Sequence, residues 1–220
     1  MGTGRSLQVE DVDAIYALGI PSISCNRIDL MYRHTKWRPD YYIMDSGSKN
    51  PNWKESARIH AEMPCECWYR EEFVLKMPEL KNKVITYPNC ACRELNTTHQ
   101  HFIEWCDAKP ICGASHSMGI AAQIADYHDY DVLYLVGCDE VYMPHQPSHF
   151  DILYNPEGYD AYTAIENFIG LRRVRDVALM EYGKRGKTII DLTFRTDWRA
   201  YGVDLAIRPE TDPLHWSRSI

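Results

Sequence analysis

The chain has 220 residues, 45% of them hydrophobic and 25% charged, with a formal net charge of -7. That length and usage suit one globular domain with a sizeable core and exclude a largely disordered chain. Basic residues cluster only at Arg172, Arg173 and Arg175 and at Lys184, Arg185 and Lys187, and both short runs read as solvated helix faces. A duplex nucleic-acid binder, which needs a basic face to neutralise phosphates, is therefore disfavoured.

Gly2-Thr3-Gly4-Arg5-Ser6-Leu7 is a glycine-rich turn running into Gln8 to Leu18, where Val9, Val12, Ile15, Tyr16 and Leu18 form a helical stripe. Backbone N–H groups and the Ser6 hydroxyl at a helix start suit an anion such as phosphate. No strand-forming run precedes this turn in the sequence, so either a longer chain supplies one or the sheet is built without it. Ser22 to Cys25 reads as a short buried strand followed by Asn26, and Ile28 to Lys36 as helical or irregular. Tyr41 to Met44 is a second strand, ending at the turn Asp45-Ser46-Gly47-Ser48.

Asn52 to Glu62 predicts a helix between Pro51 and Pro64, and Val84 to Tyr87 a short strand; the section between them carries no clear period. His99 and His101 beside Cys106 fall in a helical context that puts i and i+2 on different faces, which argues against a metal site there. Ser115 to Tyr127 is a small-residue helix suited to close packing on a sheet. Val132 to Val136 is a continuous apolar strand ending in Gly137-Cys138-Asp139. A loop over 140–158 carries Tyr142, His145, His149 and Tyr154; a long helix follows from about Asp160 to Tyr182, stopped by Gly183, and Thr188 to Leu192 is the last strand. Residues 193–220 read as a C-terminal extension.

Strands alternating with helices predict one α/β domain over 1–220, Rossmann-like, with a mostly parallel sheet and helices on both faces. In such sheets ligands bind outside the carboxyl ends of the strands, where Asn26, Asp45, Ser46 and Asp139 fall. The third glycine of the dinucleotide fingerprint is lacking, and Asn26 stands where an acidic residue would hold the ribose, so a nicotinamide cofactor is disfavoured. Eight cysteines are present. Cys25, Cys112 and Cys138 sit in or beside apolar runs and read as free thiols, whereas Cys65-Glu66-Cys67 and Cys90-Ala91-Cys92 could offer four thiolates to zinc, at a spacing tighter than usual. Buried free thiols are the favoured reading. No window has the roughly 18 consecutive apolar residues of a membrane span, and with no basic-then-apolar leader at the N-terminus a cytoplasmic location is expected.

The order of these blocks resembles that of bacterial sialyltransferase-like glycosyltransferases. The matching stretches are the glycine turn, Cys25-Asn26, Pro39-Asp40-Tyr41-Tyr42 running to Asp45, the small-residue helix, and Leu133 to Asp139. The related domain of motility-accessory glycosyltransferases and archaeal pterin diphosphokinases shares the order, and the resemblance spans about Gly2 to Leu192. It implies a nucleotide-sugar donor, a CMP-sugar favoured, bound without metal or other cofactor, and a glycan acceptor. Carried over by position, Gly2, Gly4 and Ser6 would meet phosphate or ribose and Asn26 the nucleotide or its phosphate. Ser115 and Ser117, with His116, would lie against the sugar, although helix capping is their alternative role. Asp45 and Ser46 stand where the family often has asparagine, and a carboxylate there would repel phosphate, so either it holds a ribose hydroxyl instead or the donor differs.

Transfer needs a base for the acceptor proton and a donor to the leaving phosphate. The resemblance places these on the loop, with His149 favoured over His145 as base and Tyr142 or Tyr154 as donor. Here the loop is much shorter than in sialyltransferases, so surface loop histidines are an equal reading. Two alternatives stay open: an ATP- and magnesium-dependent pterin diphosphokinase with Asp45 and Asp139 as metal ligands, and a nucleotide-sugar or glycan-binding protein without turnover. Self-association into a homo-oligomer is a further open possibility.

Overall fold

A computed structural model describes residues 1–45, 51–88, 117–139, 149–154 and 175–193. Strands β1 (Ile23–Cys25), β2 (Tyr41–Met44), β3 (Glu66–Arg70) and β4 (Ile85–Tyr87) form a four-stranded sheet in the order β1-β2-β3-β4, and β5 (Val132–Leu135) pairs with β6 (Thr188–Asp191). Every one of these pairings is parallel. The fold is α/β, mostly parallel and Rossmann-like, as the alternation of strands and helices predicts.

Side-chain alternation along the strands sorts the core into two faces. Tyr42, Met44, Cys67 and Tyr69 turn to one side, against α1 (Val9–Leu18), α2 (Pro51–Ala61), α3 (Glu71–Leu75) and the 3₁₀ segment Ile28–Arg33. Ile43 and Trp68 turn to the other, against α4 (Ser117–Tyr127) and the helical residues 175–184. Helices therefore cover both faces, and Tyr182 Oη ties the second layer together by donating to the Ala122 carbonyl (3.0 Å).

Local chemistry sets the element starts. Gln8 opens α1 in a capping box with Asp11, whose carboxylate accepts from the Gln8 N–H (2.8 Å). The Asp40 carboxylate accepts from the Ser22 N–H (2.7 Å) and fixes where β1 begins. On the first face, the His60 ring lies flat on Tyr42 (3.4 Å, 2°), and its Nε2 meets Tyr32 Oη at 2.6 Å. Burial pushes His60 down to about 4, so it packs as a neutral ring.

Most of the predicted elements stand within one or two residues of their expected bounds. The section without a clear period holds β3, α3 and a 3₁₀ turn at Pro78–Leu80. Its strand, Glu-Cys-Trp-Tyr-Arg, is covered on both faces and so shows no alternation. The last long helix continues through residue 184 rather than stopping at Gly183, and the chain turns at Gly186, whose φ of 71° is left-handed. Of its basic residues, Arg175 is buried rather than solvated, while Arg185 and Lys187 pair with Asp126 (3.2 and 3.0 Å). The expected helical residues 97–105, residues 160–174 and the extension beyond Thr193 lie outside the described residues.

Residues 1–4 join the two sheets. The Met1 nitrogen donates to the Ile23 carbonyl of β1 (2.6 Å), while Gly2 N donates to the Val136 carbonyl (2.7 Å) and Gly4 N to the Gly137 carbonyl (2.8 Å), just past β5. The strands thus run β6-β5, then residues 1–4, then β1 to β4. Winding proceeds outward from β1 on one side and from β5 on the other, and the point of reversal lies between them. Doubly wound sheets place their ligand crevice at the carboxyl end of such a switch point.

Candidate functional site

The glycine turn is pressed against the end of β5. A Cβ on Gly2 would lie 2.2 Å from the Gly137 carbonyl oxygen, and one on Gly4 would lie 2.4 Å from Asp139 Oδ1, so neither position has room for a side chain. Asp139 fills the place where the sequence suggests an anion. Its Oδ2 accepts from the Ser6 N–H (2.9 Å) and its Oδ1 from the Ser6 hydroxyl. A protein carboxylate is thus the acceptor for two of the turn's donors.

Asn26 follows β1 with a φ of 54°, a left-handed backbone that asparagine tolerates better than most residues. Its N–H donates to the Ile43 carbonyl (2.9 Å), its carbonyl accepts from Tyr42 Oη (2.5 Å), and its Nδ2 donates to Ser117 Oγ at the start of α4 (3.3 Å). The buried Asn26 Oδ1 has no hydrogen-bond partner among the described residues. Buried polar atoms without partners are rare, and one at a switch-point crevice is where a ligand donor would dock.

The described part of the loop folds inward onto residues 1–4. Gly4 and His149 form an antiparallel bridge, His149 Nδ1 meets the Thr3 carbonyl (3.1 Å) and Thr3 Oγ1 (3.3 Å), and Thr3 Oγ1 donates to Tyr154 Oη (3.2 Å). The imidazole stacks on the Tyr154 ring at 3.7 Å. Arg27 holds the loop from below, donating to the carbonyls of Leu153 and Tyr154, the latter at 2.9 Å. Burial lowers His149 to about 4 and raises the Tyr154 phenol well above its ordinary value. The half-buried imidazole thus stands against residues 1–4 and the Tyr154 ring.

Asp45 ends β2 on the same rim and is sealed. Arg70, at the end of β3, forms a buried ion pair with it, and Tyr87 Oη donates to Asp45 Oδ1 (3.2 Å). A carboxylate so compensated is not placed to meet ribose or a cation. The switch point thus brings together Gly2, Gly4, Ser6, Asn26, Ser117, Asp139, His149 and Tyr154, and it sets Asp45 apart in a neighbouring cluster. Ser46, Ser115, Tyr142 and His145 lie outside the described residues.

Sequence reasoning missed Thr3, Arg27 and Arg70. Thr3 lies inside the glycine turn and Arg27 directly follows Asn26, so both were one residue from a legible signal; Arg70 belongs to the strand that showed no period. Cys65 and Cys67 are free thiols with their sulfurs 3.5 Å apart. No group of three or more metal-binding side chains occurs among the described residues, and Cys90 and Cys92 lie outside them. Burial raises the Cys25 thiol to about 11, in keeping with a structural role. No described helix is long and apolar enough to cross a membrane. Comparisons with protein-family models, curated proteins and solved structures find no match.

Proposed function

We propose that the protein binds a nucleotide at the switch point and transfers a sugar from a nucleotide-sugar donor, a CMP-sugar favoured, to a glycan acceptor without a metal. The observation that carries this reading is Asn26: a left-handed residue at the carboxyl end of a parallel strand, with a buried carbonyl oxygen lacking a partner among the described residues, beside the start of α4. Such an acceptor suits the amino group of a base or a sugar hydroxyl and disfavours a bare phosphate oxygen, since two acceptors repel. With Asp139 engaged by Ser6, phosphate would have to be met elsewhere on the rim. Asp45, compensated by Arg70, is poorly suited to hold magnesium, which weakens the diphosphokinase reading.

His149 with a pKa near 4 is a weak base at neutral pH. Its contacts make it a positioning residue for Thr3 and Tyr154, and the base role passes to His145 on the same loop. The burial of His149 also favours a second reading, a binding protein without turnover. Calorimetry with CMP, UDP, GDP and ATP, each with and without magnesium, tests the proposal. Metal-independent binding of one pyrimidine nucleotide, lost in Asn26→Gly, supports it. Binding of none, or of ATP only with magnesium, overturns it. Turnover of a bound donor separates transferase from binding protein.

A further inference from the structure

A second group of nucleophilic side chains lies at the amino end of the sheet, opposite the switch-point rim, where β3 begins. After α2 the chain returns through a tight turn in which Met63 N donates to the His60 carbonyl (3.0 Å) and Cys65 N to the Met63 carbonyl (2.8 Å). Glu66 N then donates to the Asp40 carbonyl (2.9 Å), and the ladder with β2 starts. Cys65 and Cys67 are two residues apart at this point, so their side chains leave the same face. Their sulfurs are 3.5 Å from each other, and both lie against the His60 carbonyl, at 3.5 and 3.3 Å.

The two thiols are not equivalent. Cys65 is half-buried between the exposed Glu62 and Pro64 and the strand, whereas Cys67 is 3% exposed inside the core of the first face. Donation from the Cys67 S–H pulls the Cys65 thiol below its ordinary value; the same bond, reinforced by burial, holds Cys67 above it. In disulfide exchange the thiolate is the nucleophile, and it must be reachable. The accessible sulfur is thus the one suited to attack, and the covered one stands behind it in contact.

We propose that Cys65 and Cys67 form a thiol–disulfide exchange site, in which Cys65 attacks a low-molecular-weight disulfide and Cys67 resolves the product into a Cys65–Cys67 bridge. In the first step Cys65 Sγ bonds to one sulfur of the small disulfide, the S–S bond breaks, and the released thiolate takes up the proton that Cys65 has lost. In the second, Cys67 Sγ bonds to Cys65 Sγ and the remaining small thiol leaves with the Cys67 proton. The pair is oxidised by two electrons and the small disulfide is reduced to two thiols. Closure brings the sulfurs from 3.5 Å to about 2 Å and leaves the Met63 N bond to His60 in place, so the turn is kept. Two residues of strand advance roughly 6.6 Å, at the upper edge of the roughly 4.4–6.8 Å between the Cα atoms of a disulfide. The bridge is therefore strained and readily reduced again.

The test equilibrates the folded chain with glutathione and glutathione disulfide over a range of ratios, quenches in acid and maps the peptides by mass spectrometry. The peptide holding both residues is expected to lose two hydrogen atoms under oxidising ratios and to regain them when glutathione is added. Cys67→Ala, with its fold checked by circular dichroism, should stop at a mixed disulfide on Cys65. In Cys65→Ser, Cys67 should react at least roughly tenfold more slowly than Cys65 does in the parent. Absence of the bridge in the parent at every ratio overturns the proposal, and this readout needs no variant. So does a bridge from either sulfur to Cys90 or Cys92, or a Cys67 that reacts as fast without Cys65.

Discussion

At the ends of β2 to β4, Asp45 is held by a guanidinium and a phenol; at the switch point, on the same rim from the adjacent β1 onward, Asn26, Ser117, Thr3, Tyr154 and a neutral His149 meet through uncharged groups. The first cluster compensates a buried charge with an opposite one, which locks adjacent strand ends and uses up the carboxylate. The second leaves an acceptor, Asn26 Oδ1, without a partner among the described residues and gathers the glycine turn and residues 149–154 around it. Position at a strand's carboxyl end is common to both clusters. What distinguishes a binding site from a structural clamp is spare hydrogen-bonding capacity.

Breaking the clamp should have the largest effect. Arg70→Met leaves the buried Asp45 carboxylate without its guanidinium partner, and loss of about 3–5 kcal/mol is expected in urea unfolding. Adding Asp45→Asn should recover part of that loss, because the uncompensated charge is gone; no recovery would mean that packing rather than charge holds this end.

Acid should act next, and on the neutral rings. His149 and His60 are both held near 4 in the folded chain, below the ordinary 6.5, so the unfolded chain binds more protons between those values. Their contribution is complete above pH 6.5 and is lost as pH falls towards 4, by up to about 3 kcal/mol each. Unfolding free energy measured from pH 7.5 to 4 should therefore fall steeply below 6.5, and His149→Gln should flatten the curve. An unchanged slope would place that ring in water.

Gly4→Ala pushes a methyl group into Asp139 and the Gly137 carbonyl, for an expected cost of about 1–3 kcal/mol together with altered nucleotide affinity. The smallest effect on stability, and the most informative, is that of Asn26→Gly. Glycine keeps the left-handed backbone, so stability should stay within about 1 kcal/mol while nucleotide affinity drops roughly tenfold. Unchanged affinity would make Asn26 a second clamp.

The parallel α/β plan was legible because Tyr41 to Met44 and Val132 to Val136 are unbroken apolar runs between periodic helices. The rim was legible for the same reason, since residues that follow strands fall at one end of the sheet. What separates Asp45 from Asn26 was not legible, because it depends on Arg70 at the end of a strand without alternation. Nor could the loop's inward turn be read, since His149 looks the same in sequence whether it faces water or a phenol ring. Gly2 to Leu7 read as a turn alone, and only the structure shows Met1, Gly2 and Gly4 bonded to both sheets.

The clasp made by residues 1–6 also sets an order of assembly. In the four-stranded sheet each strand pairs with its neighbour in sequence, Ile23 with Tyr41 and Trp68 with Ile85, so its loops close early and at low entropic cost. Ser6 reaches Asp139 across 133 residues, and Thr3 reaches His149 across 146. Contacts so distant along the chain close late. The β1–β4 half should therefore appear first in refolding, with the glycine turn, residues 149–154 and the switch-point cluster formed together in the last step.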